Sequence, residues 1–436
     1  MESSLPRRAV QVRRRARWGA TVLLLIVLVF QASILADTLH LRAVGRAFNA
    51  LTLASFILIA AIAMLGGRAR KTSGIYLTAV LLVALGCSIN VGRNLSAESI
   101  GAAGALLPWF GALAVPFMRS YDLERSWRIF YRFMLWGSII SAIEYAAVFS
   151  GLLVPTPIET DRGTFLKGIF SIFFGLTDGT PHYRMYGLFA EPGTYAMLLL
   201  PAILFAIVFR KRWALPIFLG CLYFTNSLGG FFSLAVLLAS YFFWKYGRRP
   251  VGLALVVIAA AGAAFAFSGS LDNALTKKGT SATIREDNVS LFRDNFVNIV
   301  VSSPFGLPLT GKSMSELGAA SDMYLGSNFE IYTLFVKGGI LAALGYVILF
   351  AWILVRSVRY LLVGDKDRYM ACALVSLPAL MLFIFQRETI VASPLFACLF
   401  AWPLLRSEHT WRKAPVTRER RRRTAARTLI AIMEGS

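Results

Sequence analysis

The chain has 436 residues, of which 57% are hydrophobic and only 16% charged, with a mean hydropathy of +0.64. Such a composition is too apolar for a water-soluble globule and reads as an all-α polytopic membrane protein. A net charge of +22 would point to nucleic acid in a soluble protein. In a membrane protein it reports topology instead, because Lys and Arg collect in cytoplasmic loops.

Residues 1–17 are basic, and an apolar run follows from Trp18 to about residue 36. The start resembles a secretory signal, but the run is longer than an ordinary signal core and many more follow, so it reads as a first spanning helix. Further runs of spanning length lie at about 48–65, 75–90, 98–117, 129–153 and 188–209. Later ones lie at about 251–268, 329–355, 369–385 and 389–405.

Between Arg210 and Lys245 lies an apolar stretch interrupted by Thr225-Asn226-Ser227-Leu228-Gly229-Gly230 and flanked at both ends by basic clusters. Two full spans need roughly 40 residues, more than this stretch offers, yet both basic flanks should face the cytoplasm. The stretch therefore predicts two short helices whose polar turn is recessed below the outer surface, where irregular backbone is tolerated if it lines a cavity.

The sum is about 12 transmembrane helices in one membrane domain, 18–405, with cytoplasmic N- and C-termini. Most of the 45 Lys and Arg fall in the predicted inside segments. The tail, 406–436, carries RERRRR at 418–423, a stop-transfer anchor and a surface for anionic membrane lipids rather than for nucleic acid. Two large loops face outward, at about 154–183 and 269–327. The second contains IREDNVSLFRDNFVNIVVSSP, patterned as an amphipathic helix through Ile284, Val289, Phe292, Phe296 and Ile299.

Chemistry-bearing residues gather on the predicted outer side. In YRMYGLFAEPGTYA, Arg184 and Glu191 stand seven apart, so a helix starting near Arg184 would place them on one face. Arg285 and Arg293 lie in the second loop. Guanidinium matches phosphate oxygens and keeps its charge in a partly desolvated cavity, so Arg184 and Arg285 are the best phosphate ligands, with Arg293 beside them. Acid and base candidates are Glu191, first, then His182, Asp322 and Glu330. Lys337 is seven residues after Glu330 and could pair with it, and Ser227 stands in the recessed turn. The three histidines are scattered, so no histidine-rich metal site is expected, and no phosphate loop or nucleophile elbow is present. The four cysteines fall inside apolar runs and read as buried free thiols. Gly338, Gly339 and Gly345 offer close helix packing.

Three stretches, RMYGLFAEPGTYA, TNSLGG, and TIREDN through SPFGLPLTG to GSNFEIYTLFVKGGILAALGY, together resemble the O-antigen ligase and Wzy-type polysaccharide polymerase superfamily of bacterial inner-membrane glycosyltransferases. The resemblance covers roughly residues 180 to 350. It implies that Arg184 and Arg285 hold the diphosphate of an undecaprenyl-diphosphate-linked oligosaccharide, with Asn328 opening the helix after the long loop. Two departures stand out. Leu228 occupies a position where members often carry arginine, and Ser327 one where ligases carry histidine. Phe189 to Pro192 is similar to a sequence common in the polymerases, so the resemblance favours a polymerase over a ligase. A chain-length regulator and export proteins are the implied partners, and no cofactor, nucleotide sugar or metal is required. A lipid-linked oligosaccharide flippase is the rival from another class, although the matched, repeat-related halves of a transporter are not apparent.

Overall fold

A computed structural model describes residues 74–93, 109, 112–113, 115–117, 123–160, 163–177, 180–189, 192–247, 297, 300–306, 330–363, 367–386 and 393–406. These are mostly helical. Among the described residues, apolar sequence forms seven helices: α1 (Gly74–Arg93), α2 (Leu123–Phe149), α3 (Pro192–Val208), α4 (Leu215–Phe224), α5 (Leu228–Tyr246), α6 (Glu330–Val363) and α7 (Arg368–Gln386). A last helical segment starts at Pro394 and continues through a π turn at Ala397–Ala401. Among the described residues, three helices are long and apolar enough to cross a membrane: Gly74–Arg93, Leu123–Phe149 and, within α6, Lys337–Leu362. The apolar runs predicted at 18–36, 48–65 and 251–268, most of that at 98–117, and both basic termini lie outside the described residues.

The middle of the bundle is α3, whose sequence PGTYAMLLLPAILFAIV has no polar face. A helix that is apolar all round is stable only when surrounded, and α3 packs against α2, α4, α5 and α7. Aromatic rings fill the space between α2, α3 and α7. Tyr131 stacks on Phe205 with centroids 4.6 Å apart, and Phe209 meets Tyr369 at 4.8 Å. All four cysteines are free and buried, as the sequence implied.

Helices α1 and α6 approach closely because small residues face each other. A Cβ at Gly86 would lie 2.4 Å from the Gly338 carbonyl oxygen, and one at Gly345 would lie 2.6 Å from that of Ala79. Both obstacles are backbone and cannot swing away. Gly86→Leu should therefore destabilise the pair by roughly 1–3 kcal/mol or more, measurable as a lower midpoint of thermal unfolding in detergent. An unchanged midpoint would mean that the two helices separate at little cost.

Helix α6 is broken at Gly339, which has φ +66° and ψ −158°. At the break, two backbone groups of α6 are bonded from outside the helix. The Ile340 N–H donates to the Pro304 carbonyl at 2.9 Å, and the buried Asn90 Nδ2 donates to the Lys337 carbonyl at 2.9 Å. Arg93 lies over the Phe305 ring, 5.3 Å from its centroid. Of the predicted amphipathic helix, the described residues 297 and 300–302 are helical.

The all-α expectation is corrected between residues 156 and 187. There the predicted loop is a four-stranded antiparallel sheet in the order β1 (Thr156–Thr160), β2 (Gly163–Lys167), β3 (Ile172–Thr177), β4 (Thr180–Gly187). The segment is rich in Thr, Ile, Phe and Tyr, which suit a pleated surface, and Asp178-Gly179 joins two such runs as a hairpin dipeptide does. Thr177 pairs with Thr180 across that connection, and Ile172 pairs with Gly187 at the other end. Strand β4 lies against α2, α3 and α4.

Candidate functional site

The strand-to-helix passage after β4 is fixed by a contact that admits no side chain. Gly187 has φ +60°, and a Cβ there would meet the Tyr195 ring at 2.6 Å. The Tyr195 ring also stacks on Phe189 with centroids 5.6 Å apart, and its hydroxyl hydrogen-bonds the Ser138 hydroxyl at 2.9 Å. The chain turns at Gly187, and α3 begins at Pro192, a residue suited to a first helical position. Arg184 therefore stands in a strand, which corrects the expectation that it shares a helical face with Glu191.

From β4 the half-buried Arg184 reaches the turn between α4 and α5. Its Nε donates to the Thr225 carbonyl at 3.1 Å and its Nη2 to the Asn226 carbonyl at 3.2 Å. The last carbonyls of a helix have no intrahelical donors and carry partial negative charge. The guanidinium caps this end of α4 and lies beside the start of α5. Asn226 takes φ +46°, and Ser227 caps α5 by accepting the Gly230 N–H at 3.3 Å. Helix α4 has 10 residues, about 15 Å at 1.5 Å per residue, whereas α5 has 19. The expected pair is thus unequal: one helix is short and its partner is not. The expected turn at Thr225 to Ser227 is present.

A second polar cluster, which the sequence analysis did not single out, lies on α2. Ser138, Ser141 and Glu144 follow at intervals of three, and all are buried. The Glu144 carboxylate accepts the Phe170 N–H at 2.8 Å and the Ser171 N–H at 2.9 Å, while the Ser171 hydroxyl bonds that of Ser141 at 3.0 Å. Lys167 is a charged neighbour of this carboxylate. A carboxylate within an apolar helix of spanning length is costly unless its oxygens are paired, and here both are. Glu144 thereby bolts the connection between β2 and β3 to α2, and the sheet in turn places Arg184. The available signal was the acidic residue itself, lodged in an apolar run with two serines on its face.

Of the other expected site residues, His182 stands in β4 with its backbone paired to Gly175, and Glu330 opens α6. Glu191, Arg285, Arg293, Asp322 and Asn328 lie outside the described residues. What the structure brings together is Arg184, the turn with Ser227, and the helix ends on either side. Among the described residues, no group of three or more His, Cys, Asp or Glu is placed to hold a metal. The chain is thus a mostly helical protein with apolar helices of spanning length and a small sheet that holds an arginine at a helix-end turn. No protein-family model, curated protein or solved structure matches the chain.

Proposed function

We propose that the chain is a polysaccharide polymerase of the bacterial inner membrane. It transfers a growing glycan from undecaprenyl diphosphate onto the next lipid-linked repeat unit at the periplasmic face. The observation that carries this reading is the half-buried Arg184 guanidinium at a turn that follows a helix about half the length of a hydrocarbon core. In this reading about twelve spans surround a chamber that opens outward, and the turn forms its floor. A cation held at that depth by backbone carbonyls suits the diphosphate of a polyprenyl carrier, and Arg285 from the long outer loop is its counterpart.

In the reaction, a hydroxyl of the acceptor sugar attacks the anomeric carbon of the donor. The bond from that carbon to the diphosphate oxygen breaks, and the lipid diphosphate leaves with the bonding pair. Arginines placed where its charge grows stabilise the transition state. Glu191, three residues before Thr194 at the head of α3, takes the hydroxyl proton. The glycosyl diphosphate already contains the driving force, so neither a nucleotide sugar nor a metal enters.

Deleting the gene tests the reading through the intermediate that accumulates. A polymerase leaves single lipid-linked repeat units on the outer leaflet. The same unit trapped on the inner leaflet would identify a flippase instead, and full-length polymer on its lipid carrier would identify a ligase.

A further inference from the structure

The connection between β2 and β3, Gly168–Ser171, has an unusual combination of properties. Its tip is apolar and exposed, with Ile169 at 54% and Phe170 at 36%. Three of its four backbone donors nevertheless bond protein acceptors. The Gly168 N–H bonds the Ser171 carbonyl within the turn at 2.8 Å, and those of Phe170 and Ser171 go inward to Glu144. A turn bathed in water has no need of a carboxylate to satisfy its amides. Where water is absent, every backbone donor must find a protein acceptor.

The level of the clamp points the same way. Glu144 lies five residues before the end of α2 at Phe149, which is about 7.5 Å along the helix axis at 1.5 Å per residue. The tip therefore sits below the end of a helix long enough to span, by a depth within the roughly 5–10 Å at which interfacial elements bury their apolar faces. On α2 and just beyond its end, Ile143, Phe149, Leu152 and Val154 are exposed, so the element to which the turn is bonded also carries apolar side chains on its outer surface.

We infer that the β2–β3 connection dips into the lipid bilayer beside α2, with Ile169 and Phe170 against acyl chains and Glu144 supplying the hydrogen bonds that water cannot. The sheet is then a membrane-surface element rather than a projecting one. Arg184, on its last strand, is held at the lipid boundary, where a lipid-linked headgroup arrives by lateral diffusion. The inference rests on α2 crossing the membrane and does not depend on any enzymatic activity.

The test uses the full chain in vesicles of phosphatidylethanolamine and phosphatidylglycerol, with a nitroxide on Ile169→Cys and, separately, on Phe170→Cys. The native cysteines are all buried. Contact with dissolved oxygen is compared with contact with a water-soluble nickel chelate, and Ile143→Cys on α2 serves as the reference. Oxygen contact exceeding chelate contact at both tip positions, as at Ile143, is the expected result. Chelate contact dominating at the tip while Ile143 remains in lipid would overturn the inference and leave the spanning helix intact. Exclusion of both reagents at the tip would also overturn it, in favour of a protein cover. Chelate access at Ile143 as well would remove α2 from the membrane and the inference with it.

Discussion

Replacing Arg184 by alanine is expected to abolish long-chain polysaccharide while the protein still inserts normally. The side chain donates through Nε to one helix-end carbonyl and through Nη2 to the next, a planar two-point grip that lysine cannot reproduce. Arg184→Lys should therefore restore only part of the activity even though the charge is kept. Removing one preorganised donor from a site of developing charge costs on the order of 10²–10³ in rate, enough to reduce a chain-length ladder to its lowest rungs. Arg285→Ala should do the same. Wild-type ladders from either alanine variant would remove that arginine from the site. Glu191→Gln should give a severe defect, as removal of the base requires; a mild one beside the arginine variants would show that charge stabilisation dominates and that Glu191 is not the base.

The largest loss of stability is expected at Glu144. Alanine there leaves the Phe170 and Ser171 amides without their acceptors inside the fold. Hydrogen bonds to a charged group are worth about 1.5–3 kcal/mol each, so Glu144→Ala should cost about 3–5 kcal/mol. Glutamine keeps a single carbonyl acceptor and should fall between alanine and the native residue. Ser141→Ala removes only the hydroxyl contact to Ser171 and should cost about 1 kcal/mol. Thermal unfolding in detergent of the three variants reads this order directly. Equal midpoints for Glu144→Ala and Ser141→Ala would show that the carboxylate does not hold the sheet.

Hydropathy located the helices well because apolar runs carry their own signal. The runs expected at 75–90, 329–355 and 369–385 correspond to α1, α6 and α7 within a few residues at most ends. The sheet was less legible. Its strands are short, with Pro, Glu, Lys and His among the β-formers, so the segment reads as a polar loop unless Asp178-Gly179 is taken as a hairpin signal. Arg184 drew attention as a charge close to an apolar run, but its partners are the carbonyls of Thr225 and Asn226. Backbone acceptors leave no trace in residue type. Glu144 escaped notice for the same reason, since two main-chain amides satisfy it and no basic residue four positions away marks it. Close packing holds for Gly338, against Cys87 and Ala342, and for Gly339, where a Cβ would lie 2.1 Å from the Pro304 carbonyl oxygen; the sequence gives no sign that the helix also breaks at Gly339.

At Gly339 the helix takes a hydrogen bond to Pro304, thirty-five positions back. Pulling residues 303–306 away would strand the Ile340 amide in an apolar bundle and lift Phe305 from beneath Arg93. An amide left bare in this way costs about 1–3 kcal/mol, so residues 303–306 are moored to α6. Because Arg93 belongs to α1 and the Ile340 amide to α6, displacing residues 303–306 loads both helices together.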